Sequence, residues 1–493
     1  MVILVLFIVS IVIRVPNLNR PLSKHHEFNA AMILIPMEIW EQTSVTEHYY
    51  SPIMTYQNEG DKGIPNVTVS RTENNGNFFY ISFPAATYVL PYFSFKLFGV
   101  DPSPLALQFF NMFSHLLCVV LLFKIVLFIS FSQLNKSTRN IPALIAAGVY
   151  LFSPSPLWFH GNGYTHHTLI NLFLLWSILV ALKELFAKES TSGIKLLLPL
   201  VLSILTAYAG YVLAFIVGIV FVVKWMRKKQ FQPVIIVVVT SVVLGTCITY
   251  WQYSAVVGGD NFMDYLYQRF IVRSGSELGF LESVNRLFSS LGKWYVVGYL
   301  PVLIFMVYQL FRLRFRQLYL SMKERAFLLI ASSLCLIHHL LLQEFTAVHN
   351  YSVLLDGIFI SGMVGVLTSK MLIQHKFSLF AKGVLMFAFI LSIVQYYYIN
   401  RIGDYGQNGD RYDYMQEIGE TIKENATGKD VIFMMNFEDR PSPQVMYYAK
   451  RNFYYIEDIA SANQILKDRG KKSGKVFIVD NKAVSEVVAI HNQ

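Results

Sequence analysis

The sequence predicts an α-helical polytopic membrane protein with about eleven transmembrane segments and a small C-terminal α/β domain. Of the 493 residues, 54% are apolar and only 15% are charged. The apolar residues fall in runs of roughly 20, the length that crosses a hydrocarbon layer of about 30 Å. After residue 400 the runs give way to a mixed pattern with both signs of charge. A soluble protein would instead spread its apolar residues at the periods of strands and amphipathic helices.

The apolar runs predict the membrane segments in order. They cover residues 2–13, 105–129, 141–159, 168–186, 196–206, 211–223, 234–253, 294–311, 326–342, 351–367 and 377–398. A long polar loop, 16–103, follows the first run, and the short runs 196–206 and 211–223 are interpreted as a hairpin. These segments predict a membrane body over residues 1–399 and a separate domain over residues 400–493.

Lys and Arg predict the orientation, because basic residues that flank spans stay on the cytoplasmic side. The connections around 136–139, 183–195, 224–229, 312–325 and 370–382 are basic, whereas 160–167, 207–210 and 343–350 contain no Lys or Arg. We therefore expect a cytoplasmic amino terminus and an extracytoplasmic C-terminal domain. The net charge of +10 then lies at the cytoplasmic lipid surface and indicates no nucleic-acid partner.

The C-terminal domain, 400–493, shows two short apolar runs typical of buried parallel strands, at 430–436 and 475–480. Helices are expected at 415–424, 444–452, 460–469 and 483–491. Neither strand leads into a Gly-rich phosphate loop, so nothing here predicts nucleotide binding.

Glu27 is the candidate catalytic residue. It follows His25 and His26 and precedes the helical pattern NAAMILIPMEIW at 29–40. A carboxylate held between histidines at the edge of the lipid can serve as a general base toward a hydroxyl or an amine. The alternative is a solvated loop carboxylate with no catalytic role.

Four stretches of the chain, in this order, resemble a known family. They are RVPNLNRPLSKHHEFNAA at 14–31, FFYISFPAATYVLPYFSFKLFGVDPSPLALQFFNMFSHLL at 78–117, SILTAYAGYVLAF at 203–215 and HNYSVLL at 349–355. The arrangement resembles the dolichyl-phosphate-mannose–protein mannosyltransferase and aminoarabinose transferase superfamily, which are integral-membrane glycosyltransferases of the GT-C fold. Two features depart from the family. The first acid of its acidic pair is His26 here, and the segment that is Lys-Pro-Pro-like in some relatives is Ser82, Phe83, Pro84.

The resemblance implies a sugar donor linked to polyprenyl or dolichyl phosphate, an envelope glycan, lipid or protein as acceptor, and a bacterial inner membrane. It carries the base role to Glu27 alone, with His26 beside it. Arg269 and Arg273, spaced by four on one helical face, are candidates for binding the donor phosphate, as are Lys24 and Arg20 near the base. An interfacial helix whose arginines contact lipid headgroups is the alternative for Arg269 and Arg273.

The remaining polar candidates are His25, His166, His167, His349 and Tyr351, which we expect to line a cavity or contact substrate. No spacing matches a dedicated zinc site, so a divalent metal remains an open alternative and no cofactor is assigned. Two other functions stay open. A transporter or lipid flippase would show paired inverted repeats, which are not evident here. A catalytically silent scaffold of envelope glycan assembly would be compatible with His26.

Overall fold

The computed structural model describes residues 1–22, 26–64, 73–130, 134–135, 138–187, 192–314, 318–402, 413–435, 442–469, 476–480 and 488–490. The chain divides into two compact units. The first, called here the helical unit, comprises Met1–Leu18, Gln108–Thr249 and Tyr267–Gly403. The second, called the loop–tail unit, comprises Asn19–Leu107, Tyr250–Leu266 and Asp404–Gln493.

Helices dominate the chain. In order they are α1 (Val2–Arg14), α2 (Phe28–Gln42), α3 (Ala86–Phe98), α4 (Pro104–Ser130), α5 (Asn140–Phe152), α6 (Pro154–Phe159), α7 (His166–Leu185), α8 (Leu197–Thr206), α9 (Ala209–Lys228), α10 (Val234–Val257), α11 (Gly259–Ser274), α12 (Phe280–Leu313), α13 (Met322–Leu341), α14 (Gln343–Val348), α15 (Asp356–Ile373), α16 (Leu379–Ile402), α17 (Tyr414–Asn425), α18 (Ser442–Ala449) and α19 (Ile459–Asp468). The strands are β1 (Glu73–Asn74), β2 (Asn77–Phe78), β3 (Val431–Met435), β4 (Tyr454–Ile456), β5 (Val476–Asp480) and β6 (Val488–Ile490).

Among the described residues, eight helices are long and apolar enough to cross a membrane. They are Pro104–Ser130, His166–Leu185, Ala209–Lys228, Val234–Val257, Leu281–Leu313, Met322–Leu341, Asn350–Ile373 and Leu379–Tyr398, and three shorter apolar helices cover Val2–Asn17, Asn140–Phe152 and Ile194–Thr206. Every predicted apolar segment falls on one of these helices or on α6. The prediction of a helical polytopic membrane protein is therefore confirmed.

The predicted segment 141–159 is not one helix. α5 ends at Phe152, Ser153 is extended with ψ 139°, and Pro154 opens α6. A residue before proline disfavours the helical region, whereas proline itself fits the first helical turn. The proline marks this break in the sequence, but hydropathy alone does not show it, because the residues on both sides are apolar.

The short helix α8 and the longer helix α9 form the expected hairpin. α8 ends at Thr206, Ala207 is extended, and α9 begins at Ala209. Gly210 lies so close to the end of α8 that an added Cβ would be 2.4 Å from the carbonyl carbon of Ser203. Any larger residue at 210 would force the two helices apart, so glycine is required for this crossing.

In the loop–tail unit, α2 is buried along most of its surface and α3 ends at Gly99, whose φ of 63° is the left-handed conformation typical of a helix C-terminus. The tail carries a four-stranded sheet in the order β4-β3-β5-β6. β3 pairs in parallel with both β4 and β5, and β6 is antiparallel to β5. Phe433, Ile456 and Ile478 form part of its apolar core.

The two predicted parallel strands are thus confirmed as β3 and β5. The helix expected at 483–491 is wrong in its described part, because Val488–Ile490 is strand β6. Its short run of β-branched and small apolar residues pairs with the open edge of β5, and this pairing overrides a weak local helix preference. The sequence predicts a domain boundary at residue 400, which separates the first loop from the tail. In the structure the first loop and the tail belong to one compact unit.

Candidate functional site

Glu27 lies at the amino end of α2, where its carbonyl oxygen accepts the backbone N–H of Ala31 at 3.1 Å. Its carboxylate accepts a hydrogen bond from Nη2 of Arg20 at 2.6 Å, with only 3% and 9% of the two side chains exposed. The amino end of a helix carries partial positive charge. The helix and the guanidinium together therefore balance the charge of a carboxylate that is buried, not solvated.

The described ion pair of Glu27 is with Arg20, and the His26 ring lies 6.0 Å from the ring of Phe28. His26 has a φ of 50°, an uncommon backbone conformation for a residue with a side chain. His25 and Lys24 lie outside the described residues, so their predicted roles stay predictions.

Tyr448 of α18 is a residue near Glu27 that the sequence reasoning missed. Its hydroxyl oxygen accepts the backbone N–H of Leu22 at 2.8 Å. Burial raises the pKa of Tyr448 to about 12, and the negative charge of Glu27 contributes to the rise. A tyrosine some 420 residues away in the chain carries no local signal that could have identified it.

Arg269 and Arg273 lie on α11 as predicted, but their surroundings differ. Arg273 is buried and its guanidinium lies 5.6 Å from the ring centre of Phe345. It is also close enough to His166 for their charges to interact. Arg269 is half-buried. A buried Arg273 argues against a role confined to lipid headgroups for that residue.

His166 and His167 begin α7, where Thr165 caps the helix by accepting the backbone N–H of His167 at 3.1 Å. Both side chains are buried, and their ring centres are 4.5 Å apart. His338 of α13 lies 5.4 Å from His167. The capped start of α7 therefore holds the two rings at its first turn, next to His338 of α13.

His349 and Tyr351 join the same cluster from the connection that precedes α15. Their rings stack at 5.0 Å, and Phe345 lies 4.7 Å from His349. Tyr351 lies 6.0 Å from His166. The structure therefore brings together His166, His167, His349 and Tyr351, four candidates that are up to 185 residues apart in the chain.

Asp356, which pairs with His339 in this region, was missed. Nε2 of His339 lies 2.9 Å from Oδ2 of Asp356, and Nδ1 of His339 lies 3.2 Å from the hydroxyl oxygen of Thr346. All three residues are buried. The signal was available, since a carboxylate inside an apolar span marks a functional or pairing position.

Arg14, at the end of α1, is another buried polar residue that the sequence reasoning missed. Its side chain is fully buried and donates to the carbonyl oxygen of Leu157 at 3.0 Å and to the hydroxyl oxygen of Ser10 at 2.9 Å. Nη2 lies 2.9 Å from Nδ1 of His115, whose ring stacks on His160. An arginine in an apolar run is the sequence signal for such a site.

Among the described residues, no group of three or more His, Cys, Asp or Glu side chains is arranged to hold a metal ion. The rings of His166 and His167 lie against aromatic rings and other imidazoles. His339 contacts a single carboxylate, that of Asp356.

Solved structures provide the comparison, since no family model matches the chain and no curated protein matches it in sequence. ArnT from Cupriavidus metallidurans, solved bound to undecaprenyl phosphate, is 13% identical, with a TM-score of 0.60 over 96% of this chain and 92% of ArnT. Its apo form gives a TM-score of 0.56 at 11% identity over 98% and 92% of the two chains. The archaeal oligosaccharyltransferase AglB from Archaeoglobus fulgidus, solved with an inhibitory peptide and a dolichol-phosphate, is 14% identical, with a TM-score of 0.54 over 97% of this chain and 69% of AglB.

ArnT, an aminoarabinose transferase, and AglB are both GT-C fold glycosyltransferases. At these identities the likeness concerns the fold, and it extends over nearly the whole chain. Together with the eight apolar helices, it leads to one conclusion: the chain is an integral membrane protein with the GT-C fold.

Proposed function

We propose that this protein is a glycosyltransferase that moves a sugar from a polyprenyl-phosphate carrier to an envelope acceptor, with Glu27 as the general base. The observation that carries the proposal is the buried Glu27 carboxylate, paired with Arg20 at the start of α2, in a chain with the GT-C fold. The neighbours with this fold were solved with undecaprenyl phosphate and dolichol-phosphate, which supports a lipid-linked donor.

The proposed reaction is a single displacement. A hydroxyl or amine of the acceptor gives its proton to a carboxylate oxygen of Glu27 while its oxygen or nitrogen attacks the anomeric carbon of the sugar. The bond between that carbon and the phosphate oxygen breaks, and the lipid phosphate leaves from the opposite face with the bonding electrons. The configuration at the anomeric carbon is therefore inverted. In this scheme Arg20 orients the carboxylate through the oxygen that it contacts.

Negative charge grows on the departing phosphate, so cations and N–H donors are required near it. Arg273 is the stronger candidate of the two arginines on α11, because it is buried beside the histidine cluster. His166, His167, His349 and Tyr351 are proposed to line the donor site and to orient the sugar. Arg269 and Lys24 remain candidates for the same phosphate.

The proposed setting is a bacterial inner membrane with the amino terminus in the cytoplasm and the tail outside. The distribution of Lys and Arg between the connections supports this orientation. A protease-cleavable tag placed after Gln493 tests it: cleavage by protease added to intact spheroplasts is expected, and protection until lysis would reverse the orientation.

The decisive experiment uses a deletion strain of the source organism, complemented with the native gene or with Glu27→Gln at matched protein level. Envelope glycans, lipids and proteins are compared by mass spectrometry. Glu41→Gln is the control, because Glu41 lies on the same helix but is partly exposed and pairs with Lys96. We expect the native gene and Glu41→Gln to restore a sugar that the deletion loses, and Glu27→Gln to fail.

Full restoration by Glu27→Gln would refute the base role and would favour a scaffold or transporter. If the deletion loses no sugar from any envelope fraction, the transferase proposal itself fails. Adding a chelator to the same transfer reaction, in membranes from the complemented strain, tests the dependence on a divalent metal.

A further inference from the structure

The tail binds the first loop through three consecutive residues that follow α18, at positions 450–452. Nε of Arg451 donates to both carboxylate oxygens of Asp61, at 3.0 and 3.1 Å, and these side chains are 5% and 0% exposed. The amide of Asn452 joins them: its side chain donates to the carbonyl oxygen of Met54 at 3.0 Å and accepts the backbone N–H of Tyr56 at 2.8 Å. These contacts hold the loop in one register against the tail.

Lys450 binds α2 itself. Its ammonium group forms an ion pair with Oε1 of Glu38, and the other carboxylate oxygen accepts the hydroxyl of Tyr56 at 3.0 Å. Burial raises the pKa of Glu38 and lowers that of Lys450, so each charge depends on its partner. The helix whose amino end carries Glu27 is therefore attached to the tail by a mostly buried ion pair.

Tyr448 lies two residues before Lys450 and contacts the segment that precedes Glu27 in the chain. Its hydroxyl oxygen accepts the N–H of Leu22 at 2.8 Å, and Leu22 lies two residues after Arg20, whose guanidinium contacts Glu27 at 2.6 Å. Tyr448 at the end of α18 and Lys450 just after this helix thus contact both segments that form the Arg20–Glu27 pair. Lys450 holds α2, and Tyr448 holds the segment that carries Arg20.

We propose that the tail completes the site around Glu27, with Tyr448 as a positioning residue that keeps the Arg20–Leu22 segment against the carboxylate. The inference rests on the proposed function and adds a role for the tail in it. Tyr448 does not act on the substrate here. It determines where the guanidinium lies relative to the carboxylate, and so how the carboxylate is oriented.

The test is Tyr448→Phe in the full chain, because this change removes one hydroxyl and keeps the ring. Tyr447→Phe is the matched control: it removes the hydroxyl of the adjacent residue, whose ring faces the ammonium of Lys450 at 3.9 Å. The donor is a lipid extract of the deletion strain and the acceptor is its washed envelopes. Undecaprenyl phosphate serves as a competitor whose inhibition constant reports binding of the lipid phosphate.

Tyr448→Phe is expected to lower the transfer rate by about tenfold, the effect of losing one well-placed hydrogen bond. The inhibition constant for undecaprenyl phosphate should not change. Tyr447→Phe should keep the rate within about twofold of the native protein.

The inference is overturned if Tyr448→Phe transfers the sugar at the native rate. It is also overturned if Tyr448→Phe only lowers the unfolding midpoint while the rate per folded molecule is unchanged, since the tail would then stabilise the loop and nothing more. Glu27→Gln separates the two proposals. Full activity of Glu27→Gln refutes the base role, whereas an inactive Glu27→Gln beside a fully active Tyr448→Phe refutes only the role of the tail.

Discussion

The pH dependence of the unfolding free energy measures what it costs to bury His160 of the helical unit in its charged form. This residue follows α6, outside the apolar spans, and its side chain is fully buried with the ring stacked on His115 at 4.2 Å. Burial, with a smaller contribution from the charge of Arg14, lowers the pKa of His160 to about 3 from the ordinary value of 6.5. The unfolded chain therefore binds a proton at this residue much more tightly than the native chain does.

The sign and size of the effect follow from proton linkage. Because the native pKa is depressed, the contribution of His160 to stability is present above pH 6.5 and is lost as the pH falls toward 3. Between pH 7.5 and pH 5 the loss is about 2 kcal/mol, since the unfolded residue is about 97% protonated at pH 5 and the native residue is almost wholly neutral. His160→Phe keeps an aromatic ring against His115 but cannot take up a proton. It should flatten the pH dependence of the unfolding free energy by this amount.

The measurement is denaturant unfolding of the purified chain in detergent micelles at pH 7.5 and pH 5, with midpoints converted to free energies through the slope. The control is His375→Asn, because His375 is exposed and its φ of 54° suits asparagine. The control should keep the native difference between the two pH values. If His160→Phe keeps the native difference as well, burial does not hold His160 neutral and the reasoning is refuted.

Three further outcomes are expected. Arg451→Met should destabilise the loop–tail unit by about 3–5 kcal/mol, because it leaves the buried carboxylate of Asp61 without its ion-pair partner. In thermal unfolding, adding Asp61→Asn to this variant should recover part of the lost stability. No recovery would contradict the pairing. Lys370→Met should cost the helical unit a similar amount, about 3–5 kcal/mol, because its ammonium pairs with Glu324 at 2.7 Å with 6% and 0% of the side chains exposed; a change within the error of the unfolding measurement would argue against it. Arg273→Gln should weaken the binding of undecaprenyl phosphate by about tenfold or more, and Arg273→Lys by less; equal affinity of all three proteins in a binding titration would remove Arg273 from the phosphate site.

Much of the fold was predictable because it depends on local properties of the chain. An apolar run of about 20 residues must span or be buried wherever it lies, so the helices α4, α7, α9 and α10 follow from hydropathy alone. Gly99 ends α3 because it adopts the left-handed conformation at low cost. The strands β3 and β5 are short buried runs whose parallel pairing was expected.

Local patterns were insufficient where two structures compete over a few residues. Val488–Ile490 is too short for its periodicity to distinguish a helix from a strand, and the edge of β5 decides. The break at Ser153 was visible as a proline, but hydropathy averages over it.

For the candidate site, too, the sequence predicts some features and only the fold decides others. The sequence, through its resemblance to GT-C glycosyltransferases, singled out Glu27, Arg20 and Arg273, and it singled out the histidines because titratable residues beside apolar spans are costly to bury. It did not determine which of them meet. The pairing of Arg20 with Glu27 depends on how the chain turns before α2, and the approach of His167 to His338 depends on the packing of α7 against α13.

The contacts of Tyr448 and Lys450 with the first loop are a still clearer case. They join residues about 400 positions apart, and no periodicity, spacing or composition links such distant residues. The sequence alone therefore determined which segments are apolar and which residues can do chemistry. Only the tertiary structure decided which charges are paired, because pairing is a property of burial and of neighbours that the chain acquires when it folds.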